Sequence, residues 1–242
     1  MREVAYHQIR DAGEKLLALG INTTHSGNVS IRGEQEIYIT RTGSRLDRLA
    51  ESDIVSVPLN EETQGIASVE IPIHRMIYRN TPAKAILHAH PPHTIVFSIL
   101  EDAIYPVDNE AFLFLGEIPV LAPKEVSGSP ETGRLLADTF NRGTKIAVIR
   151  SHGSFAIGEN LEEALHWTST LERACQMAYL LRTMSEFRYR DIVRQRQAEI
   201  RKKSQAEKMA KGRGDEGRIG GSRQGKRGRG NAMPRGPSAD TG

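Results

Sequence analysis

The segment AKAILHAHPPHTIVFS, residues 83–98, constrains the fold more than any other. Its apolar run predicts a buried β-strand, but His88 and His90 interrupt the run and two prolines end it. Residues i and i+2 of a strand point to the same side, about 6 to 7 Å apart, so both rings would face one cleft. Two imidazoles placed in this way can bind one metal ion. The alternative is one buried, hydrogen-bonded ring and one ring in solvent.

Hydrophobic periodicity predicts both helices and strands along the chain. Helices are predicted in the N-terminal segment up to Gly20, over 70–79 and 94–100, in SPETGRLLADTFNRG, and from an Asn160 cap past Leu181. Strands are predicted in NVSIR, EIYIT, DIVSVPL, AKAILHAH, AFLFL, IPVLAP and both halves of KIAVIRSHGSFAIG. Because the two types mix without a strict βαβ rhythm, we predict an α/β fold of the α+β type, with a central mixed, largely antiparallel sheet flanked by helices.

Charge divides the chain after residue 187. Residues 1–187 carry 17 Lys and Arg against 24 Asp and Glu, a net charge of −7, whereas 188–242 carry 16 against 6, a net charge of +10. We therefore predict a folded domain over 1–187 and a basic helical extension over 188–242, disordered and Gly/Arg-rich from Gly212. Such a tail can contact nucleic-acid phosphates, although a solubilising extension is the favoured interpretation.

The cysteine count and the distribution of apolar residues indicate where in the cell the protein is located. Cys175 is the single cysteine, which excludes an intrachain disulfide and a Cys-based zinc site. The first 20 residues carry charges throughout, without the apolar core of a signal peptide. No stretch reaches the roughly 18 to 20 apolar residues of a membrane span. We expect a soluble, cytoplasmic protein without membrane contact.

Two more side chains can complete a metal site. His152 ends a predicted strand just before a glycine, and Glu70 opens a predicted helix, where the dipole favours a carboxylate. Three imidazoles and one carboxylate form the tetrahedral set typical of Zn²⁺, although Mn²⁺ or Co²⁺ accept the same ligands. His74 competes for the fourth place, but we favour a supporting or packing role for it. The remaining histidines are predicted to be structural or surface residues, namely His7, His25, His93 and His166.

Five motifs resemble the class II aldolase/adducin family. They are SGNVSIR (26–32), ITRTG (39–43), SVEIPIHRMIY (68–78), ILHAHPPHTIVFS (86–98) and SHGSFAIGENLEEA (151–164). They follow the family's order and spacing over roughly residues 5–185. The resemblance implies a class II aldolase-like fold and a metal-dependent lyase. Its implied reaction cleaves a phosphorylated ketose, such as L-fuculose 1-phosphate, into dihydroxyacetone phosphate and an aldehyde. It also implies a homo-oligomer, usually a tetramer, with active sites near subunit interfaces.

The resemblance also implies roles for individual residues. The zinc ligands, with one ion per subunit, would be Glu70, His88, His90 and His152. The carboxylate of Glu70 would in addition transfer a proton, and a Glu at this position resembles the family's aldolases more than its epimerases, which carry Asp. Three turns would bind the phosphate of the substrate through Gly27, Asn28, Thr42, Gly43 and Ser68, since glycine turns and small hydroxyl groups donate without crowding an anion.

The sequence departs from the family at the phosphate site and at the proton donor. Val69 stands where the family has a second serine, and Arg41 stands where a proline is common. The aldolase's tyrosine proton donor has no clear counterpart, and Glu110 is the candidate replacement, as in the family's dehydratases. These departures keep a sugar-phosphate dehydratase or 4-epimerase open as alternatives. A non-catalytic, adducin-like scaffold is less compatible with the full Glu and His set.

Overall fold

An eight-stranded sheet organises the chain. A computed structural model describes residues 2–63 and 65–219, with the backbone alone over 211–219. Its strands are β1 (Asn28–Arg32), β2 (Glu36–Thr40), β3 (Ile54–Pro58), β4 (Ala85–Ala89), β5 (Ala103–Ile104), β6 (Ile118–Leu121), β7 (Ile146–Ile149) and β8 (Gly153–Gly158). They are ordered β3-β2-β1-β4-β8-β7-β6-β5. Only β6 and β7 pair in parallel among these described strands, which confirms the predicted mixed, largely antiparallel sheet.

Helices cover both faces of this sheet. They are α1 (Arg2–Ala18), α2 (Ile71–Asn80), α3 (Pro92–Leu100), α4 (Asn109–Leu115), α5 (Pro130–Phe140), α6 (Leu161–Met184) and α7 (Glu186–Ile219). One apolar cluster joins α1 and α6 to the sheet, and a second cluster joins α2 and α5 to the opposite face. The resulting helix–sheet–helix layers agree with the predicted α+β type of fold.

Strand β4 lies in the middle of the sheet and sets the direction of the histidines. Leu87 belongs to the cluster on the α1 and α6 side, whereas Ile86 belongs to the cluster on the α2 and α5 side. The period of two therefore turns His88 to the same side as Ile86. His88 pairs with Asn28 on β1 and with Phe155 on β8, so it is enclosed by strands on both sides.

Local capping signals place several helix starts where they were predicted. The Ser129 side chain accepts a hydrogen bond from the Thr132 amide ahead of α5, and Asn160 accepts one from the Glu163 amide at 2.8 Å ahead of α6. Each cap satisfies an amide that has no partner within its own helix.

The prediction of a strand in AFLFL was wrong, because this segment lies in helix α4. Asp108 caps the helix by accepting from the Ala111 amide at 2.8 Å, and Gly116, with a φ of 60°, ends it. These two end signals are local hydrogen-bond and backbone effects. They outweigh the strand preference of the two phenylalanines, which is a weak and context-dependent term.

The chain divides into two units, Met1–Ile200 and Arg201–Gly242. The side chains of 201–210 are exposed, and the helix α7 continues to Ile219. It therefore extends past Gly212, where we predicted disorder to begin. The rest of the predicted disordered tail, 220–242, lies outside the described residues. Among the helices of the described part, none combines the length and the apolar run that crossing a bilayer requires.

Candidate functional site

Three imidazole rings meet where β4 and the β7–β8 turn end. The Nε2 atom of His88 lies 3.0 Å from Nε2 of His90 and 3.1 Å from Nε2 of His152. Tetrahedral zinc bonds of about 2.0–2.1 Å place neighbouring ligand atoms roughly 3.3–3.4 Å apart. The three nitrogens are thus close to the spacing at which they could share one metal ion, and they form the ligand cluster found in the described residues.

The hydrogen bonds of His88 leave its Nε2 atom free to act as a ligand. Its Nδ1 atom lies 3.0 Å from the carbonyl oxygen of Ser154, and because a carbonyl can only accept, Nδ1 carries the hydrogen. In the neutral ring, Nε2 then keeps its lone pair. Stacking against Phe155, with ring centroids 4.1 Å apart, fixes the plane of the ring. A carbonyl behind a histidine ligand is a common arrangement in metal sites.

Burial keeps these rings in the neutral form that a metal requires. It lowers the pKa of His90 to about 4, and the adjacent His152 adds to this effect. The pKa of His88, which is fully buried, is lowered well below its usual value by burial first and then by the neighbouring rings of His90 and His152. Burial also lowers the pKa of His152, against an opposing effect from the carboxylate of Glu70. At neutral pH all three rings can therefore donate a lone pair.

Glu70 lies beside the three rings and is held by a loop that is remote in sequence. It is the N-cap residue of α2, it is buried, and its Oε1 atom is 3.7 Å from Nε2 of His152. The Ser127 hydroxyl donates to Oε1 at 2.6 Å, and the Gly128 amide donates to Oε2 at 3.1 Å. Each carboxylate oxygen of Glu70 thus accepts one hydrogen bond, and the two bonds hold the group in place beside the rings.

Two glycines allow the backbone to come this close to the rings. A Cβ atom on Gly153 would collide with the carbonyl oxygen of Ala89 and lie 2.9 Å from the ring of His90. Gly27 has a φ of 76°, and a Cβ atom there would meet the carbonyl oxygen of His88. Both positions therefore exclude a side chain, the first by space and the second also by backbone conformation.

A cavity of about 240 Å³ opens over the three clustered imidazole rings. It brings together nine of the ten residues predicted for the site, namely Gly27, Asn28, Thr42, Gly43, Ser68, Glu70, His88, His90 and His152. Further lining residues are His25, Ser26, Arg41, Ser44, Val69 and Ser127. His25 is exposed, in agreement with its prediction as a structural or surface residue, and it lies next to the SGN turn on the wall of this cavity.

The asparagine of the SGN turn has an unused acceptor in the cavity wall. Asn28 is buried, and its Oδ1 atom has no hydrogen-bond partner among the described residues. A buried polar atom without a partner is unfavourable by about 1–3 kcal/mol. A bound molecule with a hydroxyl group would remove that penalty by donating to this atom.

Glu110, the tenth predicted residue, lies elsewhere. It is on α4 and lines a separate cavity of about 310 Å³, together with Asp108, His166 and Arg173. That cavity shares no residue with the one above the histidines. Within one chain, Glu110 therefore lies away from the three clustered histidines.

His74 packs behind the three clustered histidines. Its Nδ1 atom is 2.7 Å from the Ser30 hydroxyl, and its ring meets Phe155 edge-on at 6.1 Å. His74 does not line the cavity and is not one of the three clustered rings. This position agrees with the supporting or packing role that we favoured for it.

Ser127 and Gly128 are the site residues that sequence reasoning missed. The Gly128 contact joins residues that are 58 positions apart, so no local pattern connects the loop to Glu70. The available signal was the SGS sequence just before the α5 cap, which marks a turn but not its neighbour in space.

Comparison with known proteins identifies the family. The model of the class II aldolase and adducin N-terminal domain matches residues 7–179. The chain belongs to the class II aldolase and adducin family. This confirms the resemblance seen in the five motifs.

Individual relatives point to the aldolases within the family. The L-fuculose phosphate aldolase of Methanococcus maripaludis (strain C7) is 34% identical over 161 residues, which cover 65% of this chain and 87% of the relative. The enzyme of the same name from Escherichia coli K12 is 31% identical over 173 residues, covering 70% and 80%. The crystal structure of L-fuculose-1-phosphate aldolase from Thermus thermophilus matches with a TM-score of 0.72 and 36% identity, covering 75% of this chain and 96% of that one.

These similarities confirm the predicted enzyme class. The chain is a metal-dependent class II aldolase, a carbon–carbon lyase, and not a non-catalytic scaffold. The chemistry of the site fits this class, because three neutral imidazoles and a neighbouring carboxylate are suitable ligands for a divalent ion.

Proposed function

We propose that this enzyme uses Zn²⁺ to cleave a phosphorylated ketose into dihydroxyacetone phosphate and an aldehyde, a reaction of carbohydrate metabolism. L-Fuculose 1-phosphate is the first substrate to consider, because the similar relatives named above are L-fuculose phosphate aldolases. The observation that carries the proposal is the convergence of three Nε2 atoms beside the carboxylate of Glu70.

The proposed ligands are His88, His90 and His152, with Glu70 as the fourth. Bound there, zinc would act as a Lewis acid that draws electron density from the substrate's carbonyl group and stabilises the negative charge formed when the carbon–carbon bond breaks. His88 and His90 contribute neutral nitrogens from β4 and from the residue that follows it, while His152 contributes a third from the turn after β7.

Glu70 is the proposed proton carrier. When the carbon–carbon bond breaks, the hydroxyl group that becomes the aldehyde loses its proton, and the carbon that stays with the phosphorylated fragment keeps the electron pair. This carbon must then gain a proton to give the ketone product, so one proton is lost and one is gained. Glu70 faces the cavity, and its two oxygens accept from Ser127 and Gly128. The same contacts would hold the carboxylate in place while it takes up and releases a proton.

The phosphate would occupy the other end of the same cavity. Its lining includes the predicted phosphate residues Gly27, Asn28, Thr42, Gly43 and Ser68. The amides of Thr42 and Ser68 already donate to Ile66 and Thr40, so the backbone amides proposed for the anion are those of the two glycine turns. The position of these residues in one cavity supports the phosphate-binding role that the family resemblance implied for them.

A second copy of the chain would be needed for Glu110 to act on the substrate. We propose a homo-oligomer, a tetramer by resemblance, with active sites near subunit interfaces. Apolar side chains exposed on the helices support association, namely Val96, Ile99, Leu100, Leu113, Leu180 and Met184. Light scattering on the purified protein tests the assembly, and retention of full turnover by Glu110→Gln would remove Glu110 from the mechanism.

Metal analysis coupled to a substrate screen tests the proposed function. We expect about one zinc per chain, and release of dihydroxyacetone phosphate from a ketose 1-phosphate that stops after chelation and returns with Zn²⁺. His88→Ala should lose both metal and activity, whereas His7→Ala, at an exposed position on α1, should lose neither. A fully active preparation without bound metal would contradict the proposal. Products without a three-carbon phosphate would indicate a dehydratase or an epimerase.

Two further points from the sequence concern the location of the protein in the cell and the binding partner of its basic extension. A cytoplasmic location stays a prediction from the sequence, and nucleic-acid contact through the basic extension stays the less favoured alternative to a solubilising role. A gel-shift titration with salt, comparing the full chain with one ending at residue 200, tests the second, because binding through phosphates weakens steeply as salt rises.

A further inference from the structure

The cavity above the histidines contains one permanently charged cation. Among the described residues that line it, Arg41 is the single Lys or Arg. An anionic group entering this cavity therefore finds its opposite charge, apart from any metal, in the guanidinium of Arg41.

The structure holds Arg41 at the cavity wall through both its backbone and its side chain. Its amide donates to the carbonyl oxygen of Asp53 at 2.8 Å, and its backbone forms a bridge with Ala67. Its Nη2 atom donates to Oδ1 of Asp53 at 2.6 Å. The Asp53 side chain is 12% exposed and also accepts from the Ala50 amide, while the Arg41 side chain is 46% exposed. One nitrogen of the guanidinium is thus anchored, while nearly half of the side chain stays exposed.

The hydroxyl groups near Arg41 already donate inside the protein. Thr42 donates to the carbonyl oxygen of Ala67, and Ser44 donates to that of Arg41, each at 2.8 Å. A hydroxyl group has one hydrogen to donate, so neither is available to an anion in this arrangement. Val69, half exposed on the same wall, has no hydroxyl group. A ligand with several acceptor oxygens would therefore depend on Asn28, Ser68, backbone amides and the guanidinium.

We propose that Arg41 binds the anionic group of the substrate and thereby makes the enzyme selective for a phosphorylated ketose over its unphosphorylated counterpart. The inference rests on the proposed function and extends it to specificity. A planar guanidinium can donate two parallel hydrogen bonds to two oxygens of a phosphate, and such charge-assisted pairs are among the stronger hydrogen bonds in proteins.

The test compares a ketose 1-phosphate with the free ketose in the zinc-loaded full chain. Arg41→Gln should lower the ratio of kcat/KM for the phosphorylated over the free substrate by about 10- to 100-fold, the range expected for hydrogen bonds to a charged group. Arg41→Lys should give an intermediate ratio, because it keeps the charge and loses the planar fork. Arg45→Gln is the matched control, since Arg45 pairs with Asp47 and does not line the cavity; its ratio should equal the wild-type ratio.

Binding of inorganic phosphate, measured by calorimetry, separates this inference from the proposed function. Weaker phosphate binding by Arg41→Gln in a protein that cleaves no ketose would refute the proposed function and support the role of Arg41. Normal cleavage with the substrate ratio and phosphate binding both unchanged in Arg41→Gln would overturn the role of Arg41 alone. A wild-type protein that binds no phosphate, or prefers the free ketose, would also overturn it.

Discussion

At the scale of single residues, the site depends on neighbours that donate hydrogen bonds to one side chain and accept a hydrogen bond from another. Glu70 keeps two donors, Ser127 and Gly128, whereas His88 is held by one carbonyl acceptor. The two donors fix the position of the Glu70 carboxylate. The carbonyl acceptor places the hydrogen of the neutral His88 ring on Nδ1 and leaves its Nε2 atom with a lone pair.

Ser127→Ala should slow the reaction while leaving the metal in place. The substitution removes the hydroxyl that donates to Oε1 of Glu70, and a hydrogen bond to a charged group is worth about 1.5–3 kcal/mol. We expect kcat to fall by about tenfold or more at unchanged zinc content, measured by steady-state kinetics and metal analysis. Ser56→Ala, at an exposed position on β3, is the control. Equal kcat values for the two variants would contradict a role for Ser127.

His74→Gln should reduce the loss of stability in acid. Burial lowers the pKa of His74 to about 3, whereas an unfolded histidine titrates near 6.5. The unfolded chain therefore binds the extra proton first, so this contribution to stability is complete above about pH 6.5 and is lost as the pH falls towards 3. Between pH 8 and 5 the free energy of unfolding should change by about 2 kcal/mol less in the variant than in the wild type.

Urea denaturation of the metal-free protein at both pH values measures this difference. His7→Gln, which removes an exposed histidine, should behave like the wild type. If His74→Gln loses as much stability as the wild type on acidification, the ring of His74 titrates normally in the folded protein.

At the scale of elements, helix α3 depends on a carboxylate from another helix. Its N-cap residue, Pro91, offers no side-chain hydrogen bond. Glu172 on α6 instead accepts from the amides of His93 and Thr94 at 3.1 and 3.0 Å, and from the Thr94 hydroxyl at 2.9 Å. A buried negative charge at this end also interacts favourably with the helix dipole. The connection fixes the start of α3, which follows the loop of His90 directly.

Glu172→Gln should therefore destabilise the fold. The neutral amide keeps one acceptor oxygen but loses the charge shared by these three donors and by Nδ1 of His93, which lies 2.7 Å from Oε1; we expect the free energy of unfolding to fall by about 1–3 kcal/mol. Glu162→Gln, at an exposed position on the same helix, should change it by about 0.5 kcal/mol or less. Urea denaturation measures both, and equal midpoints would refute the capping role of Glu172.

At the scale of the whole molecule, the first turns of α7 belong to the folded domain. Tyr189 is 4% exposed, with its ring 6.2 Å from that of Phe97. Arg196 donates to Asn109 at 2.6 Å and lies over the ring of Phe112. These contacts lie within the unit that ends at Ile200. The domain boundary after residue 187 stays a prediction, and these contacts favour a boundary nearer to Ile200.

A chain that ends at residue 200 should retain the turnover and melting temperature of the full protein. A chain that ends at residue 187 should lose at least about 2 kcal/mol of stability, because it lacks the buried Tyr189. Differential scanning calorimetry and the aldol-cleavage assay compare the three lengths. Equal stability of the two truncated chains would show that α7 contributes nothing to the domain.

Local physics explains which features the sequence alone determined. Period-two alternation and the two prolines fixed β4 with its paired histidines, and side-chain caps fixed the starts of α5 and α6, because these effects act within a few residues. The same reasoning failed in α4, where strand preference was given more weight than Asp108 and Gly116. Residue type and position made His152 and Glu70 candidates for the same metal ion, and the family motifs then implied the same set of ligands, which no spacing rule could have connected.

Only the tertiary structure decided how distant residues meet. It placed Ser127 against Glu70, anchored Arg41 on Asp53, and kept Glu110 out of the histidine cavity of its own chain. Such contacts depend on how helices and loops pack around the sheet, and a hydrogen bond across 57 positions leaves no local pattern. The sequence thus determined which groups can take part in the chemistry, and packing determined which of them are within reach.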